Sequence, residues 1–511
     1  MSDVHTAIRR LEAALVRDGD SAARFYELGG LKLAGGDLEG AIAAYRQCLA
    51  YAPPSAAVYN NLGTALLKAV RFEEAIVALE AALRLQPGYL RALTNLGKAL
   101  RETGRPREAQ SRLHEALRIQ PDYVPALINL GDALAATGDF DAARAALERA
   151  TQLAPTVVEA RASLGIVYLQ LGRVRESLDM LRVAVALAPH HADAHSNLFH
   201  ALFVTGDWAL AWPHFEYRFQ RHAHGSKLRP PAGLARWDGT VSPDLELRLV
   251  GEQGLGDQLQ FVRYAKLLRS SGARCVIECD PKLVKILEIA GLGARIVPFD
   301  TPPESPTAQW FPLMSLPGWH RTRTDTAPAA TGYLAADSGR LEQWRARLSS
   351  VPGLRVALAW AGNPRMESGR YAGRSPPLTA LAPLMQVPKV SFISLQKGHG
   401  EEQLDQVPFG DSILGLPDVD SGADAFLDSA AILKCVDLLV TSDTAIAHLA
   451  GGLGVPTWLC LMHEPYWRWM RERADTAWYT SMHLFRQRSP DDWTGVYAEV
   501  AAQLALKVSQ R

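Results

Sequence analysis

Five Leu-Gly pairs recur at a fixed interval of 34 residues: Leu28-Gly29, Leu62-Gly63, Leu96-Gly97, Leu130-Gly131 and Leu164-Gly165. Twelve residues after each glycine stands a small residue, Ala41, Ala75, Ala109, Ala143 or Ser177, and Pro53, Pro87, Pro121, Pro155 and Pro189 close the units. Such a period belongs to a helical hairpin repeated along an array, because one hairpin cannot bury its apolar face alone while stacked hairpins can. Small residues let the two antiparallel helices of a unit approach closely, and proline stops the second helix before the next unit begins. The N-terminal part of the chain is thereby constrained to a solenoid.

This spacing is the tetratricopeptide signature, held in register over five units. A degenerate sixth unit follows, with Asn197-Leu198-Phe199 at the usual place and then Ala211 and Phe215; it is expected to cap an array spanning residues 1–221. The residue before each Leu-Gly pair is Asn61, Asn95, Asn129 and Ser163, with Asn197 in the sixth unit and Glu27 in the first. If the first helix of each unit lines a groove, Asn61, Asn95, Asn129 and Asn197 form a row of amides able to bind the main chain of an extended protein acceptor. The alternative is that each asparagine satisfies hydrogen bonds between neighbouring helices.

At 511 residues the chain has room for three or four domains of about 150 residues each. Its 54 basic and 54 acidic side chains cancel, which argues against electrostatic nucleic-acid binding. Cys48, Cys275, Cys279, Cys435 and Cys460 are too few and too scattered for a disulfide framework and read as core thiols. The N-terminus lacks an apolar signal core and no apolar run is long enough to cross a bilayer, so a soluble, cytoplasmic protein is expected.

Residues 222–241 have the glycine, proline and charge content of a linker. Beyond them two α/β halves are expected, 242–336 and 337–511. Strands are expected near Leu245–Val250, Cys275–Glu278 and Arg295–Val297 in the first. In the second they are expected at Arg355–Trp360, Val390–Leu395, Ser412–Leu414, Leu438–Ser442 and Thr457–Leu461. A helix over Asp337–Leu348 joins the halves, and a last helix, about Trp493 to Leu506, is expected to cross back towards the first. The first strand breaks into the loop Gly251-Glu-Gln-Gly-Leu-Gly256, followed by Asp257 and a helix whose Phe261, Tyr264, Ala265 and Leu268 share one face. Strand, glycine turn and helix is how doubly wound domains bring backbone N–H groups to the carboxyl edge of a sheet, although G-x-x-G-x-G is not the dinucleotide spacing.

A second candidate site is Thr441-Ser442-Asp443-Thr444-Ala445, which follows an apolar strand and opens a helix carrying His448 one turn later. Helix amides there suit a phosphate, with hydroxyls from Ser442 and Thr444; the plain alternative is a capped helix with a core histidine. The loop from Trp360 to Arg374 contains Asn363 and three arginines, Arg365, Arg370 and Arg374, suited to a diphosphate. Lys397 ends the next strand at the same edge. Asp418-Val-Asp420 matches a metal-binding D-x-D only superficially, and no metal site is expected.

Taken together, GEQGLGDQLQFVRY, WAGNPR with the downstream Arg374-Ser, SLQKG, SDTAIAHLAGGLGVPTW and Tyr466-Trp-Arg-Trp469 resemble bacterial glycosyltransferases that fuse tetratricopeptide repeats to a GT-B domain similar to lipopolysaccharide heptosyltransferases. The resemblance implies a solenoid followed by a GT-B pair of Rossmann-like domains. It also implies transfer of a sugar from a nucleotide-sugar donor, without metal or other cofactor, to Ser/Thr hydroxyls of a flagellin-like protein acceptor. By the same resemblance Asp257 is the general base. Gly254, Gly256, Asn363, Arg374, Lys397, Ser442, Asp443, Thr444, Ala445 and His448 then lie on the donor side. Asp257 as a helix cap is the structural alternative. His463-Glu-Pro-Tyr-Trp replaces the heptosyltransferase glycine turn, so an ADP-heptose donor does not carry over from the resemblance and the donor nucleotide and sugar stay open. A glycan- or lipid-carrier-directed transferase and a non-catalytic scaffold are the rival functions.

Overall fold

The computed structural model describes residues 2–510 apart from 221–229, 243–244, 271, 329–331, 365–366, 368–372, 422–424 and 465. It divides into two compact units: residues 1–201 with 220–225, and residues 202–219 with 226–511.

In the first unit the five repeats form the helix pairs Ala22–Ala34 and Leu38–Tyr51, Ala56–Lys68 and Phe72–Leu85, Leu90–Glu102 and Pro106–Ile119, Val124–Ala136 and Phe140–Leu153, and Val158–Gln170 and Val174–Leu187. The helix Ser2–Asp18 precedes them. Ala41, Ala75, Ala109, Ala143 and Ser177 are fully buried. The repeated glycine makes room for a different residue, sixteen positions on. A Cβ at Gly63 or Gly97 would lie 2.6 Å from Cγ of Leu79 or Leu113, and at Gly29 it would lie 2.7 Å from the Tyr45 ring. Glycine thus forms a hole within each hairpin, filled by tyrosine in the first and by leucine in the other four. The first helices of consecutive repeats touch one another along the array.

The asparagine column braces this stack. Asn61 donates to the Tyr26 hydroxyl at 3.0 Å, and Asn95 to Asn60 Oδ1 and Thr64 Oγ1, both at 3.1 Å. Asn129 reaches the Thr94 carbonyl at 3.5 Å and Asn197 that of Ala162 at 3.4 Å. Each asparagine makes a bond to a residue 35 positions earlier, in the preceding repeat. All four remain half-buried.

The second unit holds two parallel sheets. One contains β1 (Ala235–Arg236), β2 (Glu246–Val250), β3 (Arg274–Cys279), β4 (Arg295–Pro298) and β5 (Gln309–Pro312), in the order β1-β5-β2-β3-β4. The other contains β6 (Leu354–Ala359), β7 (Val390–Ser394), β8 (Ile413–Leu414), β9 (Leu438–Ser442), β10 (Thr457–Leu461) and β11 (Met482–Arg486). Their order, β8-β7-β6-β9-β10-β11, is that of doubly wound nucleotide-binding sheets, with the switch point between β6 and β9. All five residues of β2 are buried: its leucines enter one core, while Arg248 pairs with Glu278 at 3.0 Å on the opposite face. Covering both faces is the condition for a parallel sheet, and the polar side of the alternation is met by a buried ion pair.

Several boundaries differ from the sequence reading. The end of the expected linker is structured, since β1 pairs with β5 and Trp237 is buried. Strands β1, β5 and β11 were not foreseen: β1 is two residues long, β5 ends in proline and β11 carries no clear alternation. The last helix, Trp493–Ser509, buries Trp493, Val496, Tyr497, Val500 and Leu504 in the core of the second sheet.

The sixth repeat does form two helices, Ala192–Val204 and Trp208–Phe215, but residues 202–219 belong to the α/β unit and do not end the solenoid. Trp208 stacks on Trp478 with centroids 4.9 Å apart, and Trp467 packs edge-on against Phe203 and Trp212. Arg218 lies between the rings of Phe215 and Phe219 and grips buried Glu252 of the glycine loop through two bonds of 2.9 and 2.6 Å.

Candidate active site

The carboxyl ends of β6 and β9 lie side by side, so the loops beginning at Trp360 and Asp443 open at the switch point, where doubly wound folds bind ligands. The Ser442 hydroxyl donates to the Trp360 carbonyl at 2.9 Å and is fully buried, so it clasps the two strand ends. Thr444 is the extended N-cap of the helix Ala445–Leu453, whose first amide N–H groups have no intrahelical partners. Gly362 lets the Trp360 loop approach that helix, because a Cβ there would stand 3.1 Å from Arg374 Nη2 and 3.4 Å from Thr444 Cγ2. Arg374 is thereby brought to the helix start.

From the first sheet, the loop after β2 leads into the helix Leu255–Phe261 with Gly254 as N-cap. This helix packs against Ala445–Leu453, and Gly256 is the closest point: a Cβ would lie 2.7 Å from His448 Cδ2 and 3.2 Å from Ala445 Cα. Gly256 therefore serves the contact between the two helices. Asp257 Oδ2 accepts the Gly254 N–H at 3.0 Å, tying the helix's third residue back to its N-cap, while Oδ1 is ion-paired with Arg468. One side chain thus caps its own helix and pairs with an arginine from the loop between β10 and β11. Its two oxygens carry about four lone-pair positions, so it keeps acceptor capacity.

Arg468 is buried, with its guanidinium over the rings of Tyr466 and Trp467. It donates to His448 Nε2 at 3.1 Å, and His448 Nδ1 is 2.8 Å from the Tyr479 hydroxyl. Burial, reinforced by the charges of Arg468 and Arg263, holds the His448 imidazole well below its usual range and therefore neutral. Burial pushes the Asp443 carboxyl up; Arg468 and Arg374 pull it down and the Asp257 charge opposes them.

Other expected residues have different employment. Lys397 stands at the end of β7, but its ammonium is held by the carbonyls of Val419 and Asp420. Its neighbour Gln396 is the residue that grips the Trp360 loop, accepting from the Trp360 and Ala361 N–H groups at 2.9 Å each and donating to the Ala361 carbonyl at 2.9 Å. Asn363 is exposed on that loop, while Arg365 and Arg370 lie outside the described residues. Asp420 receives the Asp428 and Ser429 N–H groups at 2.8 and 3.2 Å, which makes the D-x-D a helix-capping device. Arg468 and the Arg218–Glu252 pair were missed because nothing in their local sequence tells which loop they face.

The tetratricopeptide repeat family matches residues 1–55, 54–122, 100–163 and 134–196. The N-terminal part carries tetratricopeptide repeats. Protein FlbA of Caulobacter vibrioides is 25% identical over 327 residues, covering 59% of this chain and 53% of the relative. The chain thus spans about half the length of that curated relative. Among solved structures, TTC0263, a thermophilic tetratricopeptide protein of Thermus thermophilus, shares 26% identity with a TM-score of 0.33, covering 36% of this chain and 99% of its own. YrrB, a tetratricopeptide protein with an unusual peptide-binding site, shares 24% identity with a TM-score of 0.29, covering 36% and 95%. Among the described residues no helix is long and apolar enough to cross a membrane.

Proposed function

We propose that the α/β unit is a GT-B glycosyltransferase that moves a sugar from a nucleotide-sugar donor to Ser/Thr hydroxyls of a protein acceptor, flagellin-like, engaged by the repeats in the cytoplasm. The observation carrying this reading is the convergence at the switch point: a helix N-terminus with Arg374 beside it, and the Asp257 carboxylate presented across from them by the other sheet. The helix amides and Arg374 stabilise the negative charge that grows on the departing nucleotide phosphate. Asp257 removes the acceptor proton as the hydroxyl oxygen attacks the anomeric carbon and the bond from that carbon to the phosphate oxygen breaks. Lys397, held by carbonyls, and His448, buried and neutral, stand behind this site.

Asp257→Asn is expected to keep nucleotide affinity within a few-fold and to lower transfer by about 10²–10⁴, the usual worth of a general base. Calorimetry and product analysis by mass spectrometry, after a thermal-shift screen of UDP, GDP, ADP and CMP and their sugars, read both quantities. Near-normal transfer by the variant removes Asp257 from the chemistry. The engagement of both Asp257 oxygens favours one alternative, a nucleotide-binding scaffold without turnover. It predicts nucleotide binding with no sugar transferred by the wild type.

A further inference from the structure

An arginine has only donors, so the 3.1 Å contact of Arg468 Nη1 with His448 Nε2 requires that nitrogen to be the acceptor. The proton of the neutral ring then sits on Nδ1 and is donated to the Tyr479 hydroxyl at 2.8 Å. The ring is pinned as well as bonded: Trp469 stacks on it at 5.5 Å and 18°, and the Cα of Gly256 closes the side from which a Cβ would meet Cδ2. The other end of the same guanidinium holds Asp257 Oδ1. His448 comes from a helix of the second sheet and Asp257 from a helix of the first, and Arg468 bonds to both. Its place is set from behind by Trp467, which packs among Phe203, Trp212 and Phe215.

We propose that Arg468 is a positioning residue: one guanidinium aims the Asp257 carboxylate and fixes His448 as the Nδ1–H tautomer, so that the imidazole is a strut and neither a proton carrier nor a phosphate ligand. The catalytic meaning of that aim rests on the transferase reading, which Asp257→Asn tests separately. The tautomer is read on the full chain with no substrate present, so the two can fail independently.

The experiment is ¹⁵N NMR of histidine-labelled protein at neutral pH, with His448→Gln used to assign the resonance among 14 histidines. Wild type is expected to show a neutral ring protonated at Nδ1. Arg468→Ala removes a charge-assisted bond and is expected to move the tautomer ratio about tenfold or more towards Nε2–H. Tyr479→Phe, which keeps the ring and the packing, is expected to leave the tautomer as in wild type. A wild-type His448 found as Nε2–H or as imidazolium overturns the assignment even if Arg468→Ala does not fold. So does an unchanged ratio in folded Arg468→Ala, or a switch to Nε2–H in Tyr479→Phe.

Discussion

Single residues carry more than one duty here, and the repeat turns show the cost when one of them departs from the pattern. The turn between the helices of each hairpin needs a left-handed residue, supplied by Gly36, Gly104, Gly138, Gly172 and Gly206 with φ between 73° and 91°. The second repeat puts Val70 there, at φ 61° and partly exposed. A β-branched residue in that conformation costs about 1–2 kcal/mol, against about 0.5–1 kcal/mol of extra unfolded-chain entropy for glycine. Val70→Gly is therefore expected to stabilise the solenoid by up to about 1 kcal/mol. Denaturant titration followed by circular dichroism checks this, and a loss of stability would mean that the Val70 side chain packs better than its exposure suggests.

At the scale of elements, the segment Leu202–Phe219 looks like the end of the repeats in sequence and is part of the α/β unit in space. Its Trp208 and Trp212 are buried, and removing a buried tryptophan costs about 3–5 kcal/mol. Deleting Arg218 leaves Glu252 buried without its partner, a loss of similar size, about 3–5 kcal/mol. The sum rivals the whole stability of a typical domain, about 5–15 kcal/mol. A fragment of residues 202–511 should therefore fold cooperatively, whereas one of 222–511, cut where the repeats appear to end, should not. Near-UV circular dichroism and thermal melts of the two fragments decide the matter; a cooperative melt from the shorter one contradicts the assignment. The nucleotide screen can then be run on the longer fragment alone.

For the molecule as a whole, the asparagine column is where stability and the proposed acceptor binding would be linked. Each of Asn61, Asn95, Asn129 and Asn197 gives amide protons to the preceding repeat yet stays half-buried. Replacing all four by alanine should destabilise the array, with each brace contributing about 0.5–1.5 kcal/mol. The proposed groove function adds a second expectation: under conditions where the quadruple variant is folded, its affinity for a protein acceptor falls by orders of magnitude while nucleotide affinity is unchanged. Equal acceptor affinities would leave the column as a brace alone.

The repeats could be read almost completely from the chain, because a 34-residue period repeats one local packing problem five times and each solution is written within the hairpin. The strands next to the glycine loop and the Ser442–Thr444 turn were legible for a similar reason, since apolar runs ending in turn residues have local signatures. Tertiary structure alone decided which side chains face those turns. Gly256 is glycine for the sake of His448, almost two hundred positions away, and Asp257 meets an arginine 211 positions on. Gln396 holds the Trp360 loop, while its neighbour Lys397, expected on the donor side, is held by backbone carbonyls. The solenoid boundary was misplaced because the same aromatic pattern caps an array or enters a neighbouring core, depending on what packs against it. Periodicity fixes contacts that recur along the chain; contacts made once, between distant segments, are set by how the sheets and helices come together.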